Sequence, residues 1–262
     1  SVEEPYISDL KISKDFAGML DEIGKLVDSK MCEETDINNK LPYKFWSDWD
    51  LHLSMFEAIM EWSIRNKIEF TRFDLYGHGE SRGDIMSATI GQWIEDSCDI
   101  FDKLINKKQI LVGSSLGGWL MLSLCKYRLE KIDSLIGIAA APDFTKSLIW
   151  ETLNESQKNE FRKQGVLEIP NPYGKTKVKY PFQLIQEAKK HLILENNIKF
   201  YGRAILHHGL LDEEVPWQTS LKIAEKLCSN NVKIQLDKTA NHRYSDPEQI
   251  NSLINSLEEL TS

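Results

Sequence analysis

From residue 68 onward the hydrophobic pattern switches between two periods. Ile68-Glu69-Phe70-Thr71-Arg72-Phe73 alternates in twos and predicts a strand ending at the turn residues Tyr76-Gly77-His78-Gly79. Ile90, Trp93, Ile94, Cys98, Phe101, Leu104 and Ile105 then recur at helical spacing. A short apolar strand, Gln109 to Val112, stops at Gly113 and is followed by an apolar helix from Leu116 to Tyr127. Further strands are predicted at Leu135–Ala140, Ala204–His207 and Val232–Leu236, with a helix around Leu221, Ala224 and Leu227. The last helix opens with Asp246 as N-cap and Pro247 at its first position, and its stripe is Ile250, Leu253, Ile254, Leu257 and Leu260. Strands alternating with helices predict an α/β fold, a mostly parallel central sheet with helices on both faces.

Residues 142–200 interrupt this rhythm. Pro142, Pro170, Pro172 and Pro181, polar helical turns near Glu151 to Phe161, and a hairpin across Gly165 to Tyr180 predict an insertion that acts as a lid. Leu148, Ile149, Trp150, Phe161, Phe182 and Ile185 within it suggest an apolar acyl site. The expected organisation is one domain over residues 1–262 carrying this lid. Near the N-terminus, Asp9–Ile12 reads as a strand, and Phe16, Met19, Leu20, Ile23 and Leu26-Val27 as an amphipathic helix.

Composition narrows the function. The 262 residues carry 32 basic and 40 acidic side chains, a net charge of −8, with no Lys/Arg stripe, which argues against a nucleic-acid partner. The longest apolar runs, Trp119–Cys125 and Leu135–Ala141, fall far short of the roughly 20 residues of a transmembrane helix. Cys32, Cys98, Cys125 and Cys228 are scattered without metal-ligand spacing, so buried free thiols and no metal are expected. The expected compartment is the cytoplasm, with the mitochondrial matrix as the alternative. The sequence leaves the oligomeric state open.

The chemistry concentrates at Gly113-Ser114-Ser115-Leu116-Gly117-Gly118, between a strand and an apolar helix. G-x-S-x-G at such a junction is a nucleophile elbow: small flanking residues permit a sharp turn that exposes the central hydroxyl, here Ser115. The Leu116 backbone N–H, at the positive end of the helix, is placed to receive an oxyanion. Serine needs a base oriented by a carboxylate, in the chain order Ser, acid, His. Asp212 lies after the strand Ala204–His207 and is followed by Pro216, and His242 lies after the strand Val232–Leu236. Glu213 and Glu214 are rivals to Asp212. Of the neighbouring His207 and His208, one ring is expected to face the core and bond to backbone; His78 is a turn residue, and His52 and His191 have no evident partner. No Gly-rich loop with Lys-Ser/Thr follows a strand, and a serine at the elbow argues against dehalogenase or epoxide-hydrolase chemistry.

The run Gln109 to Leu122, Phe73-Asp74 before Gly77-His78-Gly79, and Asp212 before Val215-Pro216-Trp217 together resemble the α/β-hydrolase superfamily. Within it they look like the small mitochondrial and bacterial abhydrolases that include an acyl-glucuronide esterase described also as a palmitoyl-protein thioesterase. The likeness runs from about residue 46 to the C-terminus. It implies serine-dependent hydrolysis of esters or thioesters of acylated or small-molecule substrates by Ser115, Asp212 and His242, without a cofactor. It also implies a second oxyanion donor, the backbone N–H of Phe45, where Lys44 stands in place of the usual glycine. That departure sustains an alternative: an acyl-ligand or partner-binding module with a degenerate oxyanion hole.

Overall fold

A computed structural model describes residues 53–79, 81–170 and 177–262. The features read near the N-terminus, including Lys44 and Phe45, lie outside the described residues, as do Cys32 and His52. The chain divides into two compact units, Ser1–Gly83 and Asp84–Ser262.

In the first unit, helix α1 (Leu53–Asn66) buries Met55, Ile59 and Trp62, spaced four and three residues apart on one face. The strand expected over Ile68–Phe73 is not formed among the described residues. Alternation decides which side chains share a face, whereas a strand also needs a neighbour to complete its ladder. Gly77 and Gly79 take φ of +74° and +52° in the turn that follows. His78 is buried there, with Nδ1 3.2 Å from the Tyr76 carbonyl, in keeping with a role in the turn.

The second unit opens with α2 (Ile90–Leu104), capped by the Thr89 hydroxyl, which accepts from the Gln92 N–H at 3.1 Å. The strand β1 (Gln109–Ser114) leads into α3 (Leu116–Tyr127), and β2 (Ile132–Ile138) follows. The sequence pattern extended β2 to Ala140. The ladder stops earlier because Ala139 adopts φ +44° and leaves the extended region.

Residues 142–200 hold α4 (Glu155–Gln164), the antiparallel hairpin of β3 (Val166–Pro170) and β4 (Lys177–Pro181), and α5 (Phe182–Ala188). Asn154 and Gln157 form a capping box at the start of α4, and Gly165 ends it with φ +75°. The apolar side chains expected to form an acyl site largely pack on one another instead. Ile149, Phe161 and Ile185 are a buried core surrounded by Trp150, Phe182, Tyr180 and others. An excursion this long must bury its own apolar surface to hold a shape. Its two ends are fastened together by Asp143, which is 5% exposed. Its two carboxylate oxygens accept from the Ile193 and Leu194 N–H groups, each at 2.9 Å.

Three elements complete the sheet and its cover: β5 (Arg203–Gly209), α6 (Gln218–Lys226) and β6 (Val232–Asp237), before the closing helix α7 (Pro247–Thr261). β1, β2, β5 and β6 pair in parallel in that order. Among the described residues β2 and β5 lie inside the sheet; Leu135, Ile136 and Ile138 of β2 and Ala204, Ile205 and Leu206 of β5 are almost wholly buried. Each larger aliphatic of this kind contributes about 1.5–3 kcal/mol through burial. Asp246 and Gln249 form a capping box ahead of α7, with Pro247 in its first turn. The register pairs Ser114 with Ile138, Ile138 with His207 and Gly209 with Asp237, so the strand C-termini share one edge.

Candidate active site

Ser115 sits in the single-residue link between β1 and α3, with φ +49° and ψ −117°. A non-glycine residue there stores strain that its surroundings must hold. They do so with backbone bonds: the Ser115 N–H donates to the Ile138 carbonyl at 3.0 Å, and the Ser115 carbonyl accepts from Gly118 at 3.0 Å and Ala141 at 2.9 Å. A Cβ at Gly113 would lie 2.5 Å from the Gly117 carbonyl oxygen, and one at Gly118 would lie 2.3 Å from the Ala140 Cβ. Gly117 meets no such obstacle. The steric demand for small residues therefore falls on 113 and 118, where the sequence motif points to 113 and 117. Leu116 begins α3, so its N–H has no carbonyl one turn earlier in the helix to receive it.

Asp212 lies three residues past β5, in a loop folded by its own side chain. Its Oδ1 accepts from the Glu214 N–H at 2.9 Å and the Val215 N–H at 2.8 Å. His242 follows β6 by five residues. The two loops approach so closely that a Cβ on Gly209 would stand 2.1 Å from the Ala240 carbonyl oxygen. His242 Nδ1 donates to Asp212 Oδ2 at 2.8 Å, and its Nε2 lies 3.1 Å from Ser115 Oγ. The three side chains read from the sequence thus meet in one chain of hydrogen bonds. Glu213 and Glu214 are not the partners of His242 in that chain.

Burial alone would push the Asp212 carboxyl upward, but bonds from His208, His242 and the Val215 N–H, with the His242 charge, hold it well below the usual carboxylate range. Burial also works to lower His242, and the Asp212 hydrogen bond and charge, with Glu214, overcome it and raise the imidazole above its ordinary 6.5.

The neighbouring histidines differ from expectation, for both are fully buried. Adjacent residues of a strand face opposite sides, and this sheet is covered on both. His207 lies with Nδ1 3.0 Å from the Tyr244 hydroxyl and Nε2 2.9 Å from Ser256 Oγ; Tyr244 also donates to Asp237. His208 faces the other way, with Nδ1 2.8 Å from Ser220 Oγ and Nε2 2.9 Å from the Val215 carbonyl and 3.2 Å from Asp212 Oδ2. His191 has a partner the sequence did not reveal: its Nε2 is 2.5 Å from Glu187 Oε1.

Burial lowers His207 to about 4. Between pH 6.5 and about 4 the unfolded chain therefore binds a proton that the folded chain does not, and the fold loses stability as pH falls through that window. The contribution is about 3 kcal/mol. His242 acts oppositely, since its raised value adds stability below pH 6.5 that is lost on going alkaline through the folded value. Urea unfolding at pH 6.5 and 4.5 is expected to show a smaller acid loss in His207→Gln than in the wild type; equal losses would contradict this assignment.

Cys98, Cys125 and Cys228 are free, and burial pushes the Cys125 thiol up to about 12, which makes it a poor nucleophile. Among the described residues no group of three or more His, Cys, Asp or Glu could hold a metal ion. No described helix is long and apolar enough to cross a membrane.

A strand-to-helix serine elbow with an acid and a histidine following successive parallel strands defines an α/β hydrolase, and the chain belongs to that family. Alpha/beta hydrolase domain-containing protein 10 from mouse superimposes with a TM-score of 0.74 at 36% identity, covering 79% of this chain and 83% of that one. A putative hydrolase from Agrobacterium vitis matches with a TM-score of 0.77 at 27% identity, over 80% and 82% of the two chains. The serine aminopeptidase S33 family profile matches residues 51–163. Among curated proteins, the mouse mitochondrial palmitoyl-protein thioesterase ABHD10 is 39% identical over 192 residues, which make up 73% of this chain and 64% of the relative. The human protein of that name is 38% identical over 72% and 62%. The match thus spans a little under two thirds of the length of these curated relatives.

Proposed function

We propose that this chain is a serine hydrolase that cleaves carboxylic esters or thioesters through an acyl-enzyme. The observation that carries the reading is the continuous path from Asp212 through His242 to Ser115, at 2.8 and 3.1 Å. His242 Nε2 takes the Ser115 proton as Oγ attacks the acyl carbonyl, and Asp212 stabilises the resulting imidazolium. The Leu116 N–H and the N-terminus of α3 receive the oxyanion, and the family resemblance implies the Phe45 N–H as the second donor. The tetrahedral intermediate collapses, His242 returns the proton to the departing alcohol or thiol, and water then releases the acyl group through the same base. No step calls for a metal or cofactor. The names of the curated relatives support acyl thioesters as substrates and a mitochondrial rather than cytoplasmic location. Residues 142–200, with their own core and a closed base, are suited to serve as the lid.

A fluorophosphonate probe tests the reading directly. The expected result is covalent labelling at Ser115, identified by peptide mapping and absent from Ser115→Ala, together with a burst on p-nitrophenyl butyrate. Because the base must be neutral, kcat/KM is expected to fall on the acid side with an apparent pKa above 6.5. Saturable binding of acyl ligands without labelling or turnover would replace the hydrolase by a binding module.

A further inference from the structure

We propose that His208 is a positioning residue that holds the Asp212 carboxylate at the angle His242 requires; this deepens, and rests on, the triad reading above. Asp212 accepts on both oxygens. Two backbone N–H groups of its own loop fix Oδ1, at 2.9 and 2.8 Å. Oδ2 is shared by two imidazoles, with His242 Nδ1 at 2.8 Å and His208 Nε2 at 3.2 Å. Among the described residues His208 Nε2 faces only acceptors, the Asp212 carboxylate and the Val215 carbonyl at 2.9 Å, so that nitrogen carries a proton and donates. The opposite nitrogen meets the Ser220 hydroxyl at 2.8 Å, which fixes the ring from α6.

The ring of His208 and the carboxylate of Asp212 are both fully buried. An acceptor in such surroundings turns toward whichever donors are fixed. Backbone N–H groups on Oδ1 restrain one oxygen but leave the carboxylate free to swing about that end. His208 reaches from the strand itself, rigid within β5, and fixes the other oxygen opposite His242. The same donor ties Asp212 to the Val215 carbonyl and so closes the loop across its mouth.

The two ring nitrogens are separable by substitution. Asparagine reproduces a polar group near Nδ1 and keeps the Ser220 contact, whereas glutamine extends its amide to the place of Nε2. His208→Met removes both. With p-nitrophenyl butyrate, His208→Met and His208→Asn are expected to lose about ten- to a hundredfold in kcat, with KM within about twofold of wild type. His208→Gln is expected to recover to within about threefold of wild type. The far-downfield proton resonance of His242 Nδ1–H, identified by its loss in His242→Gln, is expected to shift or broaden in the Met and Asn variants and return in Gln. If His208→Met does not fold, the Asn and Gln variants decide.

Full turnover in folded His208→Asn overturns the proposal. So does equal impairment of Asn and Gln at equal melting temperature, which would mark packing alone. Fluorophosphonate labelling of the wild type separates the two levels. A wild type labelled at Ser115 with an indifferent His208 removes only the positioning role, and an unlabelled wild type removes the triad and this proposal with it.

Discussion

Ser115→Gly is expected to abolish turnover and to raise the melting temperature. The first effect follows from removing the attacking oxygen, a loss on the order of 10⁴- to 10⁶-fold in kcat for enzymes of this mechanism. The second follows from the backbone. Ser115 is held at φ +49° and ψ −117°, and its side chain makes no capping bond to α3. Glycine adopts that conformation without a Cβ penalty, relieving about 1–3 kcal/mol of strain. Against this stands the extra freedom of glycine in the unfolded chain, about 0.4–1 kcal/mol. The net gain of about 1 kcal/mol corresponds to about 2–4 °C in a chain of this size. Paired assays of p-nitrophenyl butyrate hydrolysis and thermal melting check both halves. A variant that melts lower than wild type would mean that the elbow is not strained, and turnover above about one per cent of wild type would mean that another group attacks.

Asp212→Asn is expected to lower kcat by about 10⁴-fold with the fold intact. The amide keeps its carbonyl oxygen for the Glu214 and Val215 N–H groups and turns its NH₂ toward His242. The NH₂ then faces the donors of both His242 and His208, and His242 escapes by moving its proton to Nε2. That proton points at Ser115 Oγ, 3.1 Å away, where a lone pair is needed. The pH profile supplies a second reading. The Asp212 bond and charge raise His242 against the lowering effect of burial. Removing them leaves burial dominant, so the acid limb of the residual kcat/KM moves to lower pH than in the wild type. A loss below about tenfold would show that Asp212 does not orient the base.

The parts of this molecule that were legible in its sequence are those in which one local rule decides the outcome. The helix α3 spans Leu116–Tyr127 as expected because an apolar run follows directly on the elbow serine. The loops of Asp212 and His242 follow from turn residues placed after apolar strands. What depended on distant neighbours was not legible. Alternation at Ile68–Phe73 supplied no ladder partner, and β2 ended early because Ala139 left the extended region, which no propensity records. Gly118 rather than Gly117 bears the steric demand because Ala140, from another strand end, stands against it. From the sequence, His207 and His208 are a pair of which one ring faces inward. The second neighbour of His208, Asp212, becomes visible only when the loop folds back across the strand end. The pair His207-His208 within an otherwise apolar strand was the available signal, since two adjacent polar rings in a doubly covered sheet each need partners.

The carboxylate of Asp143 has a consequence for how such a protein can diversify. By joining Asp143 to Ile193 and Leu194 it fixes the span between the two points where the excursion leaves and rejoins the sheet. Length between those points can change at little cost once the ends are set, but composition is tied to the body, because the Glu187 carboxylate accepts from the Gly91 N–H and the His191 carbonyl accepts from Trp119 Nε1, each at 3.1 Å. Transplanting such a segment between homologues at that neck would therefore have to carry matching partners for Gly91 and Trp119 with it.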